Sequence, residues 1–369
     1  MSSTKGPKVI VSRKIPPPGL DILLADGRID LVMWPEENTP PDSAWWNENL
    51  PGAAGILCTL VDKINEELLE KAGHGLKVIS TFSVGLDHID LEACKKRNVR
   101  VGYTPNCLTS AVADTASMLV LMSMRRVGES MRAVLDSRWP KLTWAPSLLV
   151  GPSLEGRTIS ILGFGRVGQM TALRLLAFSP GRILFVASKP GTPPSSDHFG
   201  LLRAAKRHDG LPLPMSFYSS IDSANRSSAK VGKIELRSAL SQDELIAEAD
   251  VLILACPLTT ETKHVVNDAA IRKMKKTAVV VNVGRGGLVD SDALALALTE
   301  SRLFGAGLDV IEGEPNVEND HPLVRQERAV IFPHIGSATH EARSGMSEES
   351  AKNVLAGVFD EDMVTEKEL

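Results

Sequence analysis

The stretch RTISILGFGRVGQMTALRLLA, Arg157–Ala177, decides the fold class. RTISIL reads as a short, mostly apolar strand, and RVGQMTALRLLA repeats its apolar residues at helical spacing. Between them stands GFGRVG, which sets Gly163, Gly165 and Gly168 in a G-x-G-x-x-G arrangement. The first glycine permits a tight turn, the second lets backbone approach a pyrophosphate, and the third lets helix and strand pack closely. The start of the helix adds the positive end of its dipole, which favours an anion. The hexapeptide alone also suits a turn that binds nothing. Its place between a strand and a helix is what gives it a mechanism.

Outward from this unit, short apolar runs alternate with helical patterns along most of the chain. KVIVS (8–12), GILC (55–58), LKVIST (76–81) and VRVGY (99–103) precede it. RILFVA (182–187), DVLILA (250–255), TAVVVNV (277–283), GAGLDV (305–310) and AVIF (329–332) follow it. That alternation predicts an α/β protein with doubly wound parallel sheets, and 369 residues is ample for two domains. A long helical pattern over 111–138 is expected to break near Gly128. Residues 338–369 read as one helix and a charged tail. The segment 189–238 breaks the rhythm: it is rich in Pro and Ser, and too long to join two strands through one helix. It is expected to be an inserted surface excursion with a mobile tip. Its eight basic and four acidic residues serve solubility more simply than cofactor steering.

Composition narrows the class of function. A net charge of −4 leaves no basic footprint for nucleic acid or an anionic membrane, so neither is expected as a partner. No apolar run approaches the roughly 18 residues of a spanning helix. The N-terminal MSSTKGPKVIV does not read as a cleavable signal. Four scattered cysteines, Cys58, Cys94, Cys107 and Cys256, show no CxxC pair, so no metal site is expected and the cytoplasm is the expected compartment.

The next strand exit bears on the choice of dinucleotide. An acid there would accept from the adenosine ribose and mark NAD. LFVASKPG instead places Ser188 and Lys189 at that point, and the next acid is Asp197. NADP(H) is therefore favoured, with NAD(H) as the alternative; a solvated surface role for Lys189 stays open.

Three later stretches put functional side chains at strand exits: Arg285 in NVGRGGLVD, Glu314 in AGLDVIEGEP and His334 in FPHIGSATH. Ligands of open α/β sheets lie beyond the carboxyl ends of the strands. A guanidinium there can hold a carboxylate through two parallel hydrogen bonds. A histidine can give or take the proton of a ketone/alcohol pair, and a carboxylate on its other nitrogen fixes its tautomer. Each residue alone has an ordinary structural reading, and it is their occurrence together after a dinucleotide fingerprint that points to chemistry. His74, His88, His198, His208, His264, His321 and His340 lack such support, and no chemistry is assigned to them.

STFSVGLDHID, VGYTPNCLTSAVAD, GFGRVG, NVGRGGLVD, AGLDVIEGEP and PHIGSATHEA occur in that order. In this the chain resembles the D-isomer-specific 2-hydroxyacid dehydrogenases, over nearly all its length outside the insertion, and most of all their glyoxylate reductase/hydroxypyruvate reductase branch. The resemblance implies two domains with a cleft between them. One is a flavodoxin-like substrate domain of residues 1–107 and 338–369; the other is a Rossmann cofactor domain of 108–337. It implies that Arg285 binds the substrate carboxylate and carbonyl, that Glu314 orients His334, and that His334 is the general acid. The turn Ser83-Val84-Gly85 would add backbone donors to the carboxylate. Gly163, Gly165, Arg166, Val167, Gly168, Ser188, Lys189, Cys256, Val283, Asp309, His334 and Gly336 would contact the cofactor. A homodimer is implied, with 108–150 as its arm and Trp139 and Trp144 as contacts, although packing within one subunit would use either indole equally well. The implied reaction is reduction of a small 2-oxo acid to the D-2-hydroxy acid. Two rivals are a dinucleotide-sensing, corepressor-like binding protein and a dehydrogenase for a bulkier 2-oxo acid. The first lacks support from any nuclear-localising basic run or long partner-binding tail.

Overall fold

Strands β1 (Lys8–Val11), β2 (Asp30–Met33), β3 (Ala53–Cys58), β4 (Val78–Thr81) and β5 (Arg100–Gly102) form a parallel sheet in the order β2-β1-β3-β4-β5. The computed structural model describes residues 6–206 and 234–369. The chain divides into two compact units, 1–109 with 337–369, and 110–336.

In the first unit the helix His340–Val358 packs on this sheet although it lies far away in sequence. Small residues allow the approach. A Cβ at Gly55 would lie 2.7 Å from Val358, one at Gly357 within 2.4 Å of Val78, and one at Gly102 within 2.8 Å of Asn353. Thr339 caps the helix by accepting from the Ala342 N–H at 3.1 Å. The charged tail does not hang loose: the Lys367 N–H donates to the Val101 carbonyl, and Arg100 Nε donates to Glu366 at 2.9 Å.

The second unit carries seven parallel strands: β6 (Thr158–Leu162), β7 (Arg182–Val186), β8 (Glu235–Ser238), β9 (Val251–Leu254), β10 (Val279–Asn282), β11 (Gly305–Leu308) and β12 (Ala329–Ile331). Their order is β12-β11-β10-β9-β6-β7-β8. The strands read from apolar runs, β6, β9 and β10 above all, are fully buried. Helices cover both faces, and two apolar clusters form, one on each side.

The predicted long helix is two helices, Thr109–Met124 and Val127–Leu135, with the break near Gly128 as expected; the residue that makes it is Arg126, which adopts a left-handed φ of 53°. Gly128 serves packing instead, since a Cβ there would meet the Glu327 carbonyl at 2.6 Å. The excursion read over 189–238 ends earlier than predicted, because residues 235–238 are the edge strand β8, with Glu235 opposite Arg182. Its predicted mobile tip, with Arg207, Arg226, Lys230 and Lys233, falls in 207–233, outside the described residues.

Candidate active site

The chain first runs outward from β6 to β7 and β8, then returns to β9 on the other side of β6. In sheets of this kind the ligand crevice forms where the direction of winding reverses, and here the carboxyl ends of the neighbouring strands β6 and β9 mark that point. GFGRVG follows β6 at that point. Gly163 has φ +94°, and a Cβ on it would sit 2.6 Å from the backbone of Ala255 and Cys256. At Gly168 a Cβ would sit 2.2 Å from the Gly163 carbonyl oxygen. These two glycines are therefore required by the protein itself.

Gly165 differs. It caps the helix Arg166–Leu175 and is exposed, and nothing lies within 4 Å of a Cβ built on it. No protein atom demands a glycine there, so the constraint fits a ligand whose phosphates approach the backbone. The first turn of the helix carries no acid, and Arg166 and Val167 begin it. Gly168→Ala is expected to cost about 1–3 kcal/mol by overpacking. Gly165→Ala should leave the melting temperature unchanged and weaken NADPH binding by about tenfold or more, a loss of at least about 1.4 kcal/mol. Thermal melts and a fluorescence titration with NADPH check both; a Gly165→Ala variant that binds like the parent would reject the cradle.

At the exit of β7, Ser188 and Lys189 are exposed, and Thr192 Oγ1 donates to the Lys189 carbonyl at 2.7 Å. Asp197, the next acid in sequence, is held by Arg203 Nε at 3.2 Å. At the exit of β9, Cys256 is buried, and burial pushes its thiol up to about 11. Val283 leaves β10 with its N–H donated to the Leu254 carbonyl.

Arg285, Glu314 and His334 follow β10, β11 and β12, three neighbouring strands. Parallel strands about 4.8 Å apart send all three exits to one end of the sheet. Asn282, fully buried at the end of β10, builds the turn that carries Arg285. Its Nδ2 donates to the Arg285 carbonyl at 2.8 Å, and its Oδ1 accepts from the Gly284 N–H at 3.0 Å. Arg285 Nη1 donates to the Gly284 carbonyl at 2.9 Å.

Glu314 and His334 meet directly, with Nδ1 of the imidazole 2.9 Å from Oε1 of the carboxylate. Nδ1–H donates to Glu314, which leaves Nε2 as the ring atom able to exchange a proton with a ligand. The other Glu314 oxygen accepts from the Ile311 N–H at 3.3 Å. His334 has φ +53°, a left-handed conformation uncommon outside glycine and asparagine. Asp309 holds this geometry: its carbonyl accepts from the His334 N–H, and its carboxylate accepts from the Ile335 and Gly336 N–H groups, each at 2.9 Å. Burial raises the Asp309 carboxyl above the usual range, against the pull of those N–H donors and of His334. A Cβ at Gly336 would lie 2.6 Å from Asp309 Oδ2, so both residues build the turn on which His334 stands.

Ser83, Val84 and Gly85 belong to the first unit, just after β4. Ser83 Oγ donates to the Gly85 carbonyl at 2.7 Å, and Thr81 Oγ1 lies 2.8 Å from Ser83 Oγ and 2.9 Å from His88 Nε2.

Comparison with known proteins bears directly on this arrangement. The family model described as "D-isomer specific 2-hydroxyacid dehydrogenase, NAD binding domain" matches residues 117–201 and 202–336. The chain is also 36% identical to the human glyoxylate reductase/hydroxypyruvate reductase, over 98% of each chain. The chain belongs to the D-isomer-specific 2-hydroxyacid dehydrogenases. Glyoxylate reductase of Thermofilum pendens is 37% identical over 95% of this dehydrogenase and 91% of that protein. Among solved structures, an NADPH-dependent glyoxylate/hydroxypyruvate reductase of Sinorhizobium meliloti, in complex with NADP and malonate, superposes with a TM-score of 0.75 at 27% identity. It covers 98% of this chain and 96% of that one.

The structure of this dehydrogenase also holds a pair that sequence reasoning missed. His264, to which no chemistry is assigned from sequence, lies with Nε2 2.7 Å from Glu312 Oε1. The two are 48 residues apart and share no motif, so the chain offered no signal beyond an acid two places before Glu314.

Proposed function

We propose that this dehydrogenase reduces glyoxylate or hydroxypyruvate with NADPH. The observation that carries the reading is the His334–Glu314 hydrogen bond, at strand exits next to the turn that bears Arg285. The relatives named above support the substrate class, and they favour neither the corepressor-like reading nor a bulkier 2-oxo acid.

Gly163, Gly165, Arg166, Val167 and Gly168 would hold the dinucleotide, whose nicotinamide would supply the hydride for the substrate's C2. Arg285 holds the substrate carboxylate and polarises the adjacent carbonyl through its forked N–H groups. His334 gives the Nε2 proton to the carbonyl oxygen as that oxygen gains charge, and Glu314 keeps Nδ1 protonated and steadies the imidazolium between turnovers. Substrate-binding roles for Ser83, Val84 and Gly85 rest on the motif and on the Ser83–Gly85 hydrogen bond that shapes their turn. The preference for NADPH rests on Ser188 and Lys189 at the β7 exit, where the sequence carries a serine and a lysine in place of the acid that would accept from the adenosine ribose.

We also propose a homodimer in the cytoplasm. Leu135 is 76% exposed and Trp144 84%, and Met131, Val134 and Trp139 are exposed as well, so the segment 131–144 offers apolar side chains that suit a second copy. No helix among the described residues is long and apolar enough to cross a membrane, and all four cysteines are free thiols.

A panel of 2-oxo acids run with NADPH and NADH side by side tests this reading. Glyoxylate and hydroxypyruvate should lead, and kcat/KM with NADPH should exceed that with NADH by about tenfold or more, the scale of one hydrogen bond to a charged group. NADH preference would reverse the cofactor assignment, and no turnover of any 2-oxo acid would sink the activity. Light scattering on the same protein should give the mass of two chains.

A further inference from the structure

His264 sits in the loop that follows β9, with a left-handed φ of +50° and its N–H donated to the Gly287 carbonyl at 2.8 Å. From there the chain stays beside the turn that carries Arg285. Val266 donates to the Leu288 carbonyl, Asp290 donates back to the Val266 carbonyl, and Val266 and Val289 form a parallel bridge. The imidazole then reaches out of this pairing to Glu312, which lies in the turn after β11.

Glu312 uses both carboxylate oxygens. Oε1 lies 2.7 Å from His264 Nε2, and Oε2 accepts from the Ser291 N–H at 3.1 Å, at the first residue of the helix Ser291–Thr299. Burial works to raise the Glu312 carboxyl, but the bonds from His264 and Ser291 outweigh it and hold the group below the ordinary range. Glu312 thus keeps its charge where it is needed to bind both donors.

The backbone beside Glu312 is where two functional turns touch. A Cβ on Gly286 would sit 2.2 Å from the Ile311 carbonyl oxygen and 2.6 Å from the Glu312 nitrogen, so the residue after Arg285 is pressed against this peptide. On its other side the Ile311 N–H donates to Glu314, which in turn holds His334. Movement of the Ile311–Glu312 peptide would therefore shift Arg285 relative to His334.

Resting on the activity proposed above, we infer that His264 and Glu312 are positioning residues: their pair clips three loops together and sets the distance between the carboxylate anchor Arg285 and the proton donor His334. Neither touches the reacting atoms in this role. The clip acts on substrate geometry and leaves the glycine cradle after β6 alone.

The test uses His264→Ala, His264→Gln and Glu312→Gln in the full chain, with two readouts. Steady-state kinetics with glyoxylate and NADPH should show the KM for glyoxylate raised about tenfold in His264→Ala, since small misplacements of positioning groups cost that much or more. The KM for NADPH should stay within about twofold, and His264→Gln, which keeps an N–H for Glu312, should recover most of the loss. Hydrogen exchange read by mass spectrometry should quicken in peptides covering 284–291 and 310–316 and stay unchanged in those covering 158–175. Unchanged KM and unchanged exchange in both His264→Ala and Glu312→Gln overturn the inference, as does exchange quickened throughout the chain with both KM values raised together. Should the parent enzyme turn over no 2-oxo acid, the activity proposal fails by itself. The exchange pattern then decides the clip alone: local quickening upholds it, and none rejects it.

Discussion

His334→Asn is expected to lower kcat for glyoxylate by about 10²–10⁴-fold, the usual worth of a positioned general acid, with the KM for NADPH little changed. Asparagine is the informative replacement because His334 stands at φ +53°, and asparagine accepts left-handed backbone better than other residues that carry a Cβ. Alanine would add backbone strain to the loss of the proton. The variant keeps the N–H that donates to the Asp309 carbonyl, so the turn over Ile335 and Gly336 should survive. Activity in His334→Asn equal to that of the parent would remove the imidazole from the reaction. Glu314→Gln is the companion measurement. It retains a group able to accept from Nδ1–H but loses the charge that steadies imidazolium, so the fall should be smaller than for His334→Asn.

The second large effect is expected at Arg285. Arg285→Lys keeps a positive charge at the exit of β10 and removes the fork that binds carboxylate and carbonyl at once. We expect kcat/KM for glyoxylate to fall about 10²–10³-fold, the scale seen when one preorganised donor to a developing oxyanion is lost. The fold should tolerate the change, because Asn282 builds the turn through the Arg285 carbonyl and the Gly284 N–H. A melting temperature like the parent's, with the KM for glyoxylate raised and the KM for NADPH steady, is the signature. Full activity in the lysine variant would show that charge alone suffices and that the forked geometry has no part.

Much of this was legible in the chain because buried parallel strands have to be continuous apolar runs. β6, β9 and β10 are buried at every position and stand out in sequence for that reason. The strands that escaped notice are edges. β2, DLVM, is half-buried throughout, and β8, ELRS, is mostly polar, as an outermost strand has to be if it is not to recruit another chain. The helix break was legible in position but not in cause: Gly128 marks its neighbourhood yet is needed for contact with the Glu327 carbonyl, and the left-handed residue is Arg126, whose identity gives no hint of it. At the site, the residues that carry chemistry lie in short motifs at strand exits and were readable. The positioning roles were not, since Asp309, read only as a cofactor contact, gives its carboxylate to backbone N–H groups, and Glu312 acts through a histidine from another loop.

The helix His340–Val358 lies on a sheet whose strands were all laid down before residue 103. During synthesis β3 and β4 must therefore wait for their covering helix while the whole of residues 110–336 emerges, roughly 10–50 s at about 5–20 residues per second. The later-made unit can close around its own core first, and the earlier one is finished last. Until then the nascent protein carries a bare apolar sheet face, so its period of greatest exposure to aggregation and to chaperones is set by chain topology and translation speed.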